Sequence, residues 1–75
     1  MDVESARLIA AALAVSIGGL GTALGEGMIA TKAMDAIGRN PEIQDKLGPL
    51  VFVTMAITES TAIYSLVVSL IILFV

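Results

Sequence analysis

The stretch LVFVTMAITESTAIYSLVVSLIILFV, residues 50–75, decides the fold of this 75-residue chain. Glu59 is the one charged residue in this stretch, which is otherwise almost wholly apolar. The stretch exceeds the roughly 20 residues that a helix needs to span a hydrocarbon core about 30 Å thick. A carboxylate near the middle of such a span is costly in lipid, so its presence indicates a functional role by default.

A second long apolar stretch, residues 8–30, is broken only by Glu26. The chain is 57% hydrophobic, 15% charged and free of cysteine, so a soluble domain of this length would lack both a sufficient core and disulfides. A cleaved signal peptide is a poor alternative, because Asp2 and Glu4 make the leader acidic and the apolar stretch is too long. The sequence therefore predicts an all-α membrane protein with two transmembrane helices, and nothing in its charge indicates nucleic-acid binding.

The expected arrangement is a helical hairpin. Ser5 is the predicted N-cap of the first helix, and Gly38 is its predicted C-cap before an Arg39-Asn40-Pro41 turn. Pro49 is tolerated in the first turn of the second helix, and would bend that helix slightly if it began earlier. The predicted division is a first helix at 5–38, a polar loop at 39–46 and a second helix at 47–75.

Basic residues are unevenly distributed along the chain. Lys32, Arg39 and Lys46 surround the connection between the spans, whereas the outer ends carry only Arg7. The positive-inside rule then places the loop in the cytoplasm and both termini on the opposite face of the membrane.

Glycine or alanine occupies every alternate position from 19 to 27. Small residues four apart let transmembrane helices approach closely. On a helix this alternation places small residues on two opposed sides, and two sides favour a closed ring of hairpins over a dimer with one packing face. A phosphate-binding loop is excluded because no strand precedes the segment. One side carries Gly19, Ala23 and Gly27, and the other carries Gly21 and Gly25.

Glu26 and Glu59 are expected to lie at the same depth, because both are equally distant from the predicted turn. Two carboxyl groups at one depth share a proton or bind a cation whose shell is completed by other oxygens. Ser60, Thr61 and Tyr64 supply oxygens close to Glu59 in the sequence. The alternatives are back-bonding of the Ser60 and Thr61 hydroxyls to helix carbonyls, and simple packing of Tyr64.

Together these features resemble the c-subunit, the rotor-ring proteolipid of F-type ATP synthases. The resemblance rests on the small-residue stripe at 19–27, the Arg39-Asn40-Pro41 loop and a carboxylate 20 residues after Arg39, and it covers essentially the whole chain. It implies many hairpins packed into a membrane ring, with the first span inside. Such a protein is no enzyme on its own, and its expected location is the bacterial inner membrane.

The resemblance also implies partners and a mechanism. Glu59 would take up an ion from the a-subunit of the stator, cross the lipid in a neutral state and release the ion at an exit channel. The Arg39-Asn40-Pro41 loop would contact the central stalk of the catalytic head. The expected partners are further copies of the chain, the stator a-subunit, the proteins of the stalk and membrane lipids.

Family members that carry Na⁺ share two further features with this chain. They have a glutamine or glutamate 13 residues before the loop arginine, here Glu26, and a segment like ESTAIY at 59–64. By that resemblance Na⁺, rather than the alternative H⁺, is the expected coupling ion, and no other cofactor is expected. The Thr22-Ala23 pair departs from the pattern, since many relatives have further glycines there. The implied ligands are Glu26, Glu59, Ser60 and the Ile57 carbonyl from the adjoining copy, with Thr61 orienting a water and Tyr64 holding Glu59.

Two alternative functions remain at this point. One is the proteolipid of a related rotary ATPase that pumps ions. The other, from a different class, is a small pore-forming hairpin such as a holin.

Overall fold

The computed structural model describes all 75 residues as two long helices joined by a short turn. Helix α1 spans Val3–Arg39, a 3₁₀ turn spans Pro41–Ile43, and helix α2 spans Gln44–Phe74. Both helices are long and apolar enough to cross a membrane. With 37 residues, α1 is about 55 Å long and therefore extends well beyond a hydrocarbon core.

Helix α1 begins one turn earlier than the predicted cap. Asp2 is its N-cap, and the Asp2 carboxylate accepts a hydrogen bond of 2.7 Å from the Ser5 backbone N–H. The prediction of Ser5 as the cap was wrong. Asp2 is an equally good capping residue and precedes Ser5 in the chain, so the helix begins there. The Ser5 N–H lowers the pKa of the Asp2 carboxyl group, since the bond stabilises the charged form.

Proline, rather than glycine, ends α1. The helix runs through Gly38 to Arg39, and the C-cap is Asn40, whose N–H donates to the Ala36 carbonyl at 3.0 Å. Asn40 is extended, with φ −143° and ψ 85°, because the Pro41 ring excludes the helical conformation at the preceding residue. No residue has a positive φ, so the predicted glycine cap at Gly38 is absent.

The connection is shorter than the loop predicted at 39–46. The 3₁₀ turn runs directly into α2, which begins at Gln44 rather than at residue 47. Pro49 consequently lies inside α2. Its missing N–H leaves the Asp45 carbonyl without its usual helical donor.

The hairpin is a single layer with almost no interior. Its backbone extends 58 × 18 × 7 Å, and only four of 75 residues are buried. Large apolar side chains are exposed along both helices, as expected for surfaces that meet lipid or other helices. The predicted two-helix hairpin is confirmed. The buried residues are Ala11, Thr22, Ala33 and Ser69.

Candidate ion-binding site

The hairpin brings the two intramembrane acids together. Glu26 on α1 and Glu59 on α2 place their carboxyl groups within hydrogen-bonding reach of each other, as equal depth predicts. The helices are also close beside the acids, because a Cβ added to Gly25 would lie 3.3 Å from Cγ2 of Thr58. Two carboxyl groups in such proximity can share one proton or bind one cation between them.

Two of the predicted oxygen ligands, Ser60 and Ile57, lie side by side on α2. The Ser60 hydroxyl donates to the Ile57 carbonyl at 2.5 Å, so within one chain Ser60 adopts the back-bonded alternative. The Ser60 oxygen keeps its lone pairs free, whereas the Ile57 carbonyl accepts both this hydroxyl and the helical N–H of Thr61. Within one chain the Ser60 oxygen is therefore available to a cation, whereas the Ile57 carbonyl would have to give up one of its hydrogen bonds to bind one.

Thr61 and Tyr64 face outward on the single chain. Tyr64 is 71% exposed, and Thr61 is exposed as well. The Thr61 carbonyl accepts a hydrogen bond of 3.0 Å from the Ser65 hydroxyl. No third histidine, cysteine, aspartate or glutamate joins the acid pair. A cation held here would draw its remaining ligands from hydroxyl and carbonyl oxygens, and the roles of Thr61 and Tyr64 stay predictions.

The predicted packing residues of α1 divide between two surroundings. Gly19, Gly21 and Gly27 have open space where a Cβ would lie, and the Ala23 side chain is exposed. Gly25 instead faces α2, although the alternation had grouped it with Gly21. The open positions are therefore free to meet a neighbouring molecule.

The sequence reasoning missed the residues that contact α2 most closely. Gly18 lies directly against Ser65, and Thr22 is buried. Together with Gly25, these residues follow the spacing of four and three that marks one helix face. That spacing was the available signal, and the more conspicuous alternation at 19–27 obscured it.

The turn between the helices presents polar groups to its surroundings. Nη2 of Arg39 lies 3.2 Å from Oδ2 of Asp35, one turn back along α1, and both side chains are largely exposed. An exposed ion pair of this kind contributes little stability. Arg39, Asn40 and Pro41 are all exposed, and they are accessible to a partner at the end of the hairpin.

The chain is similar to known proteins over nearly its whole length. The family model for the C subunit of ATP synthase matches residues 9–72. An ATP synthase c-subunit from Petrotoga mobilis is 49% identical over 69 residues, which cover 92% of this chain and 72% of that protein. The ATP synthase c-subunit 2 from Cereibacter sphaeroides is 49% identical over 72 residues, covering 96% of this chain and 87% of the relative.

A third relative matches over almost all of both chains. The ATP synthase c-subunit from Chloroflexus aurantiacus is 43% identical over 72 residues, which cover 96% of this chain and 95% of that protein. The two apolar helices, the acid pair at one depth and these matches lead to one conclusion. The chain is an integral membrane protein and belongs to the c-subunit family of ATP synthases.

Proposed function

We propose that this chain is the ion-carrying rotor subunit of an F-type ATP synthase and that Glu59 carries Na⁺, with H⁺ as the alternative. The observation that supports the proposal most is the meeting of the Glu26 and Glu59 carboxyl groups within the membrane span. Glu26 retains a proton in the loaded state, so one Na⁺ and one ionised Glu59 form a neutral pair. Ser60 and the Ile57 carbonyl of the adjoining copy complete the shell, and the chain itself catalyses no reaction.

Electrostatics explains why such a neutral site suits a rotor. An ionised carboxylate is too costly to move through hydrocarbon, whereas a protonated or cation-paired one is tolerable. Glu59 therefore exchanges its ion only where polar half-channels of the stator a-subunit reach it. Between these exchanges the loaded site faces lipid, and net ion flow becomes rotation that drives ATP synthesis.

The exposed surfaces of the hairpin support the proposed assembly. Copies pack side by side into a ring through the open glycines of α1, and lipid covers the outer apolar surface. The exposed Arg39-Asn40-Pro41 turn contacts the central stalk. The clustering of Lys32, Arg39 and Lys46 around the turn supports a cytoplasmic turn, with both termini on the opposite face of the bacterial inner membrane.

Carbodiimide labelling tests the ion directly, because the reagent modifies a carboxyl group only in its protonated form. In rings extracted from the membrane, Na⁺ added at fixed pH should slow the labelling of Glu59 progressively. Potassium at the same ionic strength should not slow it. The labelled residue is identified by mass spectrometry after digestion.

A Glu59→Gln ring serves as the control and should take up no reagent in the second helix. Labelling of Glu59 that is indifferent to Na⁺ would overturn the Na⁺ assignment and leave H⁺ as the coupling ion. Labelling that is absent from Glu59 under all conditions would contradict the carrier role itself.

A further inference from the structure

A side-chain hydrogen bond joins the two helices far from the acid pair. The Ser69 hydroxyl on α2 donates to the Ala11 carbonyl on α1 at 2.7 Å. Both residues are buried, with 5% and 3% of their surface exposed. A serine in a helix normally bonds to a carbonyl of its own preceding turn, so this hydroxyl has exchanged a local bond for one between helices.

A steric contact between Gly18 and Ser65 lies between this hydrogen bond and the acids. A Cβ on Gly18 would overlap the Ser65 hydroxyl oxygen and lie 2.5 Å from the Ser65 Cβ. Rotating the Ser65 side chain can move its hydroxyl oxygen away, but it cannot move the Ser65 Cβ. The helices therefore approach here at a distance that only glycine permits.

The half of the hairpin nearer the turn is packed differently. An apolar groove of about 520 Å³ runs along the hairpin there, lined by Ala33 and Ala36 of α1 and by Leu47 and Val51 of α2. Only Asn40 and the 3₁₀ turn connect the helices at that end. The side-chain hydrogen bond and the glycine-only contact between the helices are thus found from the acid pair toward the termini, whereas the covalent turn and buried Ala33 hold the other end.

The geometry points to a register lock, formed by the Ser69–Ala11 hydrogen bond and the Gly18–Ser65 contact, that holds Glu26 level with Glu59. A slip of one turn keeps the same helix face in contact but moves the helix by about 5.4 Å, which would separate the two carboxyl groups. Ser69 lies ten residues beyond Glu59, or about 15 Å along the helix, so it positions the site without touching the ion. The inference rests on the proposed function in one respect, that the acid pair is the ion site.

Disulfide formation measures the register without reference to any ion. The chain contains no cysteine, and Gly25 and Thr58 are in contact, so Gly25→Cys with Thr58→Cys should cross-link readily in the assembled complex. Adding Ser69→Ala should slow this cross-link severalfold. It should also increase cross-linking of Gly25→Cys to Met55→Cys or Ala62→Cys, which lie about one turn away on α2.

The effect on the site is read from Na⁺ protection of Glu59 against carbodiimide. Ser69→Ala should raise the Na⁺ concentration for half-protection about three- to tenfold, whereas Ser69→Thr, which keeps the hydroxyl donor, should stay near the parent. Ser16→Ala is the matched control, because the Ser16 hydroxyl is exposed and bonds only to Leu13 of its own helix. It should change neither readout.

The steric half of the lock is tested by exchanging its two residues. Gly18→Ala alone should displace the helices and slow the Gly25–Thr58 cross-link, and adding Ser65→Gly should restore it by removing the clashing Cβ. If Gly18→Ala fails to assemble while the double variant assembles, that rescue supports the lock equally.

The two proposals fail in different ways. Cross-linking that shifts in Ser69→Ala while the parent is indifferent to Na⁺ supports the lock and removes the Na⁺ assignment. Protection by Na⁺ in the parent, with no change in Ser69→Ala by either readout, overturns the lock and leaves the proposed function standing.

Discussion

The Glu26 carboxyl group beside Glu59 gives Glu59 a partner with which to share a proton or a cation inside the membrane span. A lone ionised carboxylate at this depth would be expelled toward water or protonated, whereas a facing acid allows a shared proton or a shared cation. The pairing uses one residue from each helix, so it exists only in the folded hairpin. At the scale of single residues, the property to test is whether Glu26 acts as a ligand or merely as a neighbour.

Glu26→Ala removes an oxygen ligand from the proposed Na⁺ site, whereas Glu26→Gln keeps a carbonyl oxygen of nearly the same shape and no charge. We expect Glu26→Ala to raise the Na⁺ concentration that half-protects Glu59 by more than tenfold, equivalent to about 1.4 kcal/mol or more. Glu26→Gln should change it by only a few fold. Half-protection is measured by the rate of carbodiimide labelling at fixed pH, and equal values for Glu26→Ala and the parent would show that Glu26 is not a ligand.

At the scale of the helix, the start of α1 carries a charge-dependent cap. The Asp2 carboxylate accepts from the Ser5 N–H and also lies at the positive end of the helix dipole. Because this bond lowers the pKa of Asp2 in the folded state, the cap stabilises the first turn above the ordinary pKa of 3.8. The stabilisation is lost as the pH falls through the lower, folded pKa.

Acid titration of the hairpin in detergent micelles should therefore move the Ser5 amide resonance at a pH below 3.8. Asp2→Asn is the matched control, since asparagine caps a helix equally well but does not titrate. The Ser5 resonance of Asp2→Asn should stay constant over the same range. A titration of equal size in both proteins would assign the change to another group.

The helices themselves were predictable from residue type, but their facing sides were not. Two long apolar runs around a polar turn suffice to predict the spans, and equal distance from the turn suffices to bring Glu26 and Glu59 level. Which side of α1 meets α2 depends on the rotation of one helix against the other, and Gly18 and Thr22 were missed for that reason. The choice of Ser69 for the Ala11 carbonyl was equally hidden, because a local carbonyl is available to every helical serine.

At the scale of the whole molecule, the proposed ring predicts a defined stoichiometry. Gly19, Gly21 and Gly27 lie open on one hairpin and would be covered by the next copy. A closed ring has a fixed number of copies because each interface repeats the same rotation.

Native mass spectrometry of the assembly extracted in mild detergent should give a single mass, an integer multiple of the 7.7 kDa chain. Gly19→Leu, which places a bulky side chain in the proposed interface, should abolish that mass. Leu20→Ala on the exposed surface beside it is the comparison and should retain it. A broad distribution of masses would contradict the rotor ring and favour a pore-forming hairpin.

A layer whose backbone is only 7 Å thick leaves this molecule with almost no interior. In most proteins, substitutions are tolerated better at surface positions than at interior positions. That rule therefore cannot be applied to the isolated hairpin. In the proposed ring, its exposed positions would be constrained by a neighbouring copy or by lipid, and a harmful substitution there would leave the hairpin intact. The effect of such a substitution would not be detected in the isolated chain and would appear only in the assembled complex or in the membrane.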